Sequence, residues 1–186
     1  MGCALLIIDM QMEMLHRIEA GLDHVNGAAP GRIAALVADF RSRGLPVIHI
    51  RHCDPTPGSP LAEGAAGYSP MPCAIAAPGE AVFIKHGSSG FVGTGLAGHL
   101  HASGVTELVV VGAVAGFCVN TTVRAGSDLG FAMVVVRDGV IGFGLPAAGG
   151  TGAMLSAQAV FEVTMAHLES DFARLVDSET LLSRGD

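Results

Sequence analysis

Short apolar runs that alternate with helical patterns are the feature that most constrains the fold of this 186-residue chain. Continuous runs rich in β-branched residues are typical of parallel strands buried on both faces. The runs occupy residues 4–8, 47–50, 81–84, 108–111 and 133–136. Between them, apolar residues at helical spacing predict helices over 31–43, 94–103, 118–129 and 156–168. The pattern therefore indicates repeated strand–helix units.

Repeated strand–helix units predict the α/β class, here as a single-domain three-layer α/β/α fold over residues 1–186. Right-handed crossovers would arrange the strands as a doubly wound, mainly parallel sheet. An edge strand over 172–176 would make this sheet six-stranded. The stretches 54–78 and 142–152 are predicted to be loops.

Charge and cysteine content limit the classes of partner and compartment. A net charge of −7 argues against nucleic acid and anionic membranes as partners. No apolar run reaches the length of a membrane span, and Asp9 interrupts the N-terminal apolar run, which argues against a signal peptide. The four cysteines, Cys3, Cys53, Cys73 and Cys118, lack metal-binding spacing. We therefore expect reduced thiols in a cytoplasmic protein.

Reactive side chains stand where three of the predicted strands end. Asp9 follows the first strand, Lys85 follows the third, and Cys118 lies where the fourth strand turns into a helix. Ligands of doubly wound sheets bind at the carboxyl ends of the strands. A helix N-terminus and a nearby cation would lower the pKa of the thiol from ~8.5 into the range of about 3.5–7.5. Singly, such residues more often serve turns, solvated edges and packing, but their coincidence favours a functional site.

Two other functions stay open from the pattern alone. Residues 93–98 match the GxGxxG dinucleotide signature, but the match does not start directly after a strand. Glycines in that position more often shape a loop that enters a helix. A non-catalytic small-molecule binder on the same fold is the second alternative, because fold does not dictate function. A reactive, pH-dependent thiol at Cys118 would favour an enzyme over a binder.

The residues around these positions resemble a known family. The matching segments are Leu5-Leu-Ile-Ile-Asp9-Met-Gln11, Ile84-Lys85 followed by Gly90-Phe-Val-Gly-Thr-Gly-Leu96, and Gly112-Ala-Val-Ala-Gly-Phe-Cys118-Val-Asn-Thr-Thr122. In this order they resemble the isochorismatase-like cysteine hydrolases, which include nicotinamidases, N-carbamoylsarcosine amidohydrolases and ureidoacrylate hydrolases. The resemblance covers nearly the whole chain and implies an amidohydrolase that acts on C–N bonds other than peptide bonds.

The resemblance also implies roles for individual residues. It implies a triad of Asp9, Lys85 and Cys118, and a non-proline cis peptide between Ala113 and Val114. Asp9 would act as general base on the thiol, while Lys85 would stabilise the anion and orient Asp9. The thiolate would attack an amide-type carbonyl whose oxyanion is held by the backbone N–H groups of Val114 and Cys118. Water would then hydrolyse the thioester, with no organic, redox or metal cofactor.

Departures from the family pattern narrow the substrate. Isochorismatases proper do not rely on the cysteine, so Cys118 favours C–N hydrolysis in a small amide, ureido or carbamoyl compound, with isochorismatase-type hydrolysis as the alternative. Nicotinamidases bind a metal through an Asp-x-His pair and a further His, whereas this chain has His52 and Asp54 in swapped order. We expect these two side chains to bond each other or the loop backbone, which argues against a nicotinamidase.

Residues of this chain also give candidates for the substrate pocket and an expectation for the oligomeric state. Met14 stands in the stretch where relatives often carry an aromatic residue, and Phe91 and Phe117 flank the predicted site. Either Phe would stack on a planar substrate or else pack in the core. Arg51 is the nearest cation by sequence for a substrate carboxylate. A hydrophobic content of 50% predicts a homo-oligomer, a dimer or larger. The resemblance implies the same, because members of the family commonly form dimers or larger assemblies.

Overall fold

The computed structural model of the protein describes residues 2–150 and 152–183. The strands are β1 (Gly2–Ile8), β2 (His24–Val25), β3 (Val47–His52), β4 (Ala81–Lys85), β5 (Val105–Ala113), β6 (Ala132–Phe143), β7 (Leu145–Pro146), β8 (Met154–Leu155) and β9 (Arg174–Val176). The helices are α1 (Met12–Glu19), α2 (Ala29–Ser42), α3 (Leu96–Ala102), α4 (Asn120–Asp128), α5 (Ala157–Asp171) and α6 (Ser178–Leu182).

One sheet of seven strands organises the fold, in the order β2-β6-β5-β1-β3-β4 with β9 also paired to β6. Every pairing in this sheet is parallel except that of β2 with β6. From central β1 the chain moves outward through β3 to β4, then returns to the other side of β1 with β5 and β6. The predicted doubly wound, mainly parallel sheet is confirmed, and its strand order reverses at β1, where ligand sites form in such folds.

The side chains of β1 alternate between two cores, one on each face of the sheet. Ala4, Leu6 and Ile8 pack with residues of α3, α4 and α5. Leu5 and Ile7 pack on the other face with α2. Because both faces are covered, the strand has no polar alternation. Each buried Leu or Ile side chain of the strand stabilises the fold by about 1.5–3 kcal/mol.

The predicted count of six strands was wrong by one, because two-residue β2 is too short to produce an apolar pattern. β4 is an edge strand rather than a central one, and its Val82 and Ile84 side chains are exposed. β6 continues to Phe143, past the polar Arg137 and Asp138 that interrupt its apolar run. Sequence pattern therefore located the strands better than it located their ends.

The predicted loops and helices also differ in detail from the structure. The stretch 54–78 contains two short 3₁₀ turns, and the stretch 142–152 leads into a hairpin of β7 and β8. Helix α1 was not predicted, and it follows Asp9 almost directly. Within the described residues, no helix is long and apolar enough to cross a membrane.

Candidate active site

The structure brings Asp9, Lys85 and Cys118 together at the carboxyl ends of β1, β4 and β5. The Lys85 Nζ atom lies 2.8 Å from Oδ2 of Asp9 and 3.2 Å from Sγ of Cys118. Asp9 follows β1 in the left-handed region, with φ 49°, a conformation that Asp tolerates better than most residues. This backbone bend directs the chain from the strand into α1 and leaves the carboxylate beneath the cavity.

Lys85 is almost fully buried, and its ammonium group has two further neighbours. Nζ lies 3.1 Å from the backbone oxygen of Gly87 and 3.2 Å from Nδ1 of His52. Burial, followed by the charge of Lys85, lowers the pKa of His52, so its neutral ring can accept from the ammonium. These contacts hold the cation between the carboxylate and the sulfur.

The Asp9 carboxylate is only half satisfied. Its Oδ2 pairs with Lys85, whereas its buried Oδ1 makes no well-formed hydrogen bond among the described residues, although the Cys118 thiol lies close enough to the carboxylate to lower its pKa. Burial raises the pKa of Asp9, and the charge of Lys85 opposes that rise. A buried carboxylate oxygen without a donor is costly to maintain, and it is suited to receive a proton.

Cys118 lies in a π-helical turn, Ala115–Val119, that precedes α4. The prediction that a helix N-terminus lowers the pKa of this thiol was wrong for the resting site. Burial, and then the negative charge of Asp9, raise the pKa of the Cys118 thiol from its ordinary 9.0 to about 12, against the opposing effect of Lys85. The resting sulfur is therefore a thiol that must lose its proton to a neighbouring base before it attacks.

The end of β5 forms the wall behind the sulfur. The peptide bond between Ala113 and Val114 is cis. Gly112, with φ 131°, lies so close to β1 that a Cβ atom there would stand 2.0 Å from the backbone oxygen of Ile8. Only glycine fits at this position, which is what lets β5 place Ala113, Val114 and Cys118 along the cavity.

A cavity of about 300 Å³ opens onto Asp9 and Cys118. Its walls combine apolar side chains with a few polar groups, as ligand pockets commonly do. The residues that line it are Asp9, Met14, Arg17, His52, Leu61, Ser88, Ala113, Val114, Phe117 and Cys118. A small molecule bound here would lie directly against the sulfur.

The predicted pocket residues divide into two groups. Met14 and Phe117 line the cavity, and Phe117 is 48% exposed. Phe91 does not line it, because its ring stacks on Phe131 in the core, with 5.8 Å between the ring centroids. Arg51 does not line it either, and its Nε is buried without a hydrogen-bond partner among the described residues. Phe91 therefore takes the core-packing alternative, whereas the expectation that Arg51 would meet a substrate carboxylate was wrong.

Sequence reasoning did not place two of the lining residues at the cavity. Arg17 was missed, and His52 was expected to bond Asp54 or the loop backbone. Arg17 stands three positions after Met14 on α1, a spacing that places both on one helix face. His52 and Asp54 do not bond each other: Asp54 accepts from the loop backbone N–H of Thr56, as one of the two expected alternatives had it, and His52 contacts Lys85. No group of three metal-ligating side chains occurs among residues 2–150 and 152–183.

Gln11 connects the cavity wall to the loop 54–78. Its fully buried side chain donates to the backbone oxygens of His52 and Tyr68 and accepts from the backbone N–H of His52. These bonds join the end of β3 to the loop that contributes Leu61 to the cavity. An amide that follows a strand-end Asp by two positions is the signal that was available in the sequence.

Comparisons with known proteins show which family the chain resembles. The family model described as the isochorismatase domain matches residues 3–166. A secreted isochorismatase effector, Isc1, of Verticillium dahliae is 30% identical over 95% of this chain and 88% of its own. The ureidoacrylate amidohydrolase RutB of Methylobacterium radiotolerans is 33% identical over 64% of this chain and 57% of its own.

A solved structure extends the agreement to the whole fold. A putative hydrolase of the isochorismatase family from Chromobacterium violaceum superposes with a TM-score of 0.91. It is 34% identical in sequence, and the match covers 99% of this chain and 93% of that one. From these matches and the shared fold, the chain belongs to the isochorismatase family of hydrolases.

Proposed function

We propose that this protein is a cysteine-dependent hydrolase that cleaves a C–N bond in a small amide, ureido or carbamoyl compound. The observation that carries the proposal is the half-satisfied Asp9 carboxylate beside a lysine that contacts the Cys118 sulfur at 3.2 Å. The name of the ureidoacrylate amidohydrolase supports this chemistry in a relative.

Acylation starts from the neutral thiol. Asp9 takes the Sγ proton, and Lys85 stabilises the thiolate that attacks the substrate carbonyl carbon. The amide N–H groups of Val114 and Cys118 are assigned to the oxyanion, where the loss of one donor typically costs about 2.7–4 kcal/mol. The C–N bond then breaks, the leaving nitrogen takes the proton from Asp9, and the acyl group stays on sulfur as a thioester.

Deacylation uses the same groups. Asp9 accepts a proton from water, the resulting hydroxide attacks the thioester carbonyl, and the C–S bond breaks. The sulfur regains the proton from Asp9, and the acid product leaves. Proton transfer within one carboxylate–thiol pair requires no other base, and the raised pKa of Asp9 makes its carboxylate a stronger base.

The alternative is an isochorismatase-type hydrolase that does not use the thiol. The family match and the name of the Verticillium relative favour it. The two functions differ in whether replacement of Cys118 abolishes hydrolysis.

The test is ammonia release from a panel of small amides and ureides. We expect release by the wild type and loss of at least about a thousandfold in Cys118→Ala, because the nucleophile is gone. Cys73→Ala is the matched control, since burial also raises the pKa of that thiol, to about 11, and Cys73 does not line the cavity. Release that survives in Cys118→Ala would overturn the proposal.

We also propose a cytoplasmic, homo-oligomeric protein. Four cysteines without a disulfide support the reducing compartment. Phe117, Leu155 and Val163 are exposed apolar side chains that line a second cavity together, and they support an interface between copies. Cell fractionation and light scattering of the purified protein test the two statements.

A further inference from the structure

Arg17 carries the positive charge among the residues that line the cavity. Asp9 is neutralised by Lys85 at 2.8 Å, and burial together with Lys85 disfavours the charged form of His52. The Arg17 side chain is 38% exposed and lines the cavity. A ligand in this cavity therefore meets one cation, whose Nε is paired with Glu13 at 2.8 Å.

Neighbouring residues hold the Arg17 side chain in place. Its Nε donates to Oε1 of Glu13 at 2.8 Å, one helical turn earlier. Glu13 is itself braced by Gly67 of the loop 54–78, where a Cβ would stand 2.9 Å from Cβ of Glu13. The guanidinium carbon lies 5.9 Å from the centroid of the Phe143 ring, within the range of a cation–π contact. The group is therefore oriented before any ligand binds.

The two Nη atoms of Arg17 are the donors that the bond to Glu13 does not use. No hydrogen bond from either Nη occurs within residues 2–150 and 152–183. A guanidinium group has five N–H donors in a planar fork, and the edge that carries both Nη atoms matches a carboxylate in a bidentate manner. Amides and hydroxyls would use this edge less fully.

The geometry points to Arg17 as the residue that selects substrates bearing a carboxylate in addition to the scissile amide or ureido group. This inference rests on the proposed function, because it assumes that the carbonyl reacts at Cys118. In it, Met14 and Phe117 pack against the apolar middle of the substrate, and the carboxylate reaches Arg17. Arg17 thus takes the place that sequence spacing had suggested for Arg51.

The test uses a matched pair of alkylating probes, so that it does not depend on knowing the substrate. N-iodoacetylglycine and N-iodoacetylglycinamide carry the same reactive group and differ in a carboxylate against a carboxamide. The rate of Cys118 modification by each probe is read by peptide mass spectrometry, at one pH, at low and at high salt. Homologous pairs built on β-alanine and 4-aminobutyrate vary the distance from the reactive carbon to the charge.

The variants are Arg17→Gln, Arg17→Lys and the control Arg43→Gln. Arg43 pairs with Asp39 at 3.1 Å across one helical turn and is 44% exposed, which resembles the Arg17–Glu13 pair, but it lies outside the cavity. We expect Arg17→Gln to slow modification by the anionic probe of best length by roughly tenfold, and to leave the neutral probe unchanged. Arg17→Lys should retain part of the preference, and high salt should reduce it.

The outcomes distinguish a failure of the assignment of Arg17 from a failure of the proposed function. An equal preference in the wild type and Arg17→Gln, or an equal loss in Arg17→Gln and Arg43→Gln, would overturn the assignment of Arg17. Failure of the neutral probe to modify Cys118 in the wild type would instead contradict the proposed function, and the assignment would fall with it. Loss of the preference in Arg17→Gln alone would support both.

Discussion

The two ends of β4 adjoin the same kinds of side chain, but the carboxylate is fully hydrogen-bonded at one end and only partly at the other. At the amino end, Glu80 lies between Arg41 and the buried His49. At the carboxyl end, Lys85 lies between Asp9 and the sulfur of Cys118, with His52 beside it. Each end therefore combines a carboxylate, a cation and a histidine of β3.

The two carboxylates differ in how fully they are hydrogen-bonded. Oε1 of Glu80 accepts from Arg41 Nε at 2.7 Å, and its Oε2 has Arg41 Nη2, the Ala77 amide and His49 Nε2 within 2.9 Å. These partners lower the pKa of Glu80 to about 2 even though burial opposes them. In the described part of the chain, Oδ1 of Asp9 makes no well-formed hydrogen bond, and burial raises the pKa of Asp9. A saturated ion pair stabilises the fold, whereas an unsaturated one retains the capacity to take a proton.

Removal of the cation at the carboxyl end should have the most severe consequence. In Lys85→Met the buried Asp9 carboxylate loses its cation, which should destabilise the protein by about 3–5 kcal/mol. C–N hydrolysis should fall by at least about a thousandfold, because no cation then stabilises the thiolate. Urea unfolding and ammonia release measure the two effects. Lys85→Arg, which keeps the charge, checks that a loss of activity does not simply follow from unfolding, and a folded Lys85→Met with wild-type turnover would contradict the assigned role.

The corresponding change at the amino end should affect stability alone. Glu80→Gln removes a charged acceptor from Arg41, His49 and a backbone amide, so we expect destabilisation by about 2–3 kcal/mol. Hydrolysis should stay within about twofold of the wild type, since Glu80 does not line the cavity. Urea unfolding and ammonia release, measured on the same preparation, check this. A large loss of turnover in a stable Glu80→Gln variant would contradict the claim that the amino end of β4 affects stability alone.

The pH dependence of stability should have opposite signs at the two ends. The folded pKa of Glu80 is about 2 against an ordinary 4.5, so its stabilisation is complete above pH 4.5 and is lost as the pH falls towards 2. The folded pKa of Asp9 is raised, so its contribution is present below 3.8 and is lost as the pH rises through the folded value. Urea midpoints across pH should show a flatter acid limb in Glu80→Gln and an unchanged one in Asp9→Asn. An acid limb that persists in Glu80→Gln would contradict this assignment.

The two histidines of β3 should show the smallest difference. His52→Ala removes one neighbour of the Lys85 ammonium and should lower turnover by a few-fold, roughly 3–10, with little change in stability. His49→Ala removes the bond to Glu80 and should destabilise by about 1–3 kcal/mol without affecting turnover. Steady-state kinetics and unfolding of both variants test the pair, and reversed effects would show that the contacts have been misassigned.

Sequence reasoning worked best where the chain itself determines position. Apolar runs located the strands, and because parallel strands end at one edge, the residues after them were expected to meet there, as Asp9, Lys85 and Cys118 do. Arg17 was missed because helix α1 was not recognised between Asp9 and the first loop. The family membership is confirmed by the domain match over residues 3–166. The domain count, the compartment and the oligomeric state stay predictions.

Properties that depend on burial were not accessible from local sequence. Phe91 and Phe117 both flank the site in the sequence, yet one packs in the core and the other lines the cavity. The pKa of Cys118 rises rather than falls, because burial and the charge of Asp9 outweigh the effect of Lys85. Such balances depend on which groups surround a residue in three dimensions, and spacing along the chain does not report them.

The most direct measurement is the pH dependence of Cys118 alkylation by iodoacetamide in the wild type and in Asp9→Asn, beside ammonia release by both. If Asp9 is the base for the thiol, loss of its charge should shift the thiol titration to lower pH, since that charge raises the pKa of Cys118. Hydrolysis should at the same time fall by about 10²–10⁴-fold, because no group then accepts the proton. A titration that does not move, or hydrolysis that persists in Asp9→Asn, would contradict the assignment of Asp9 as the base.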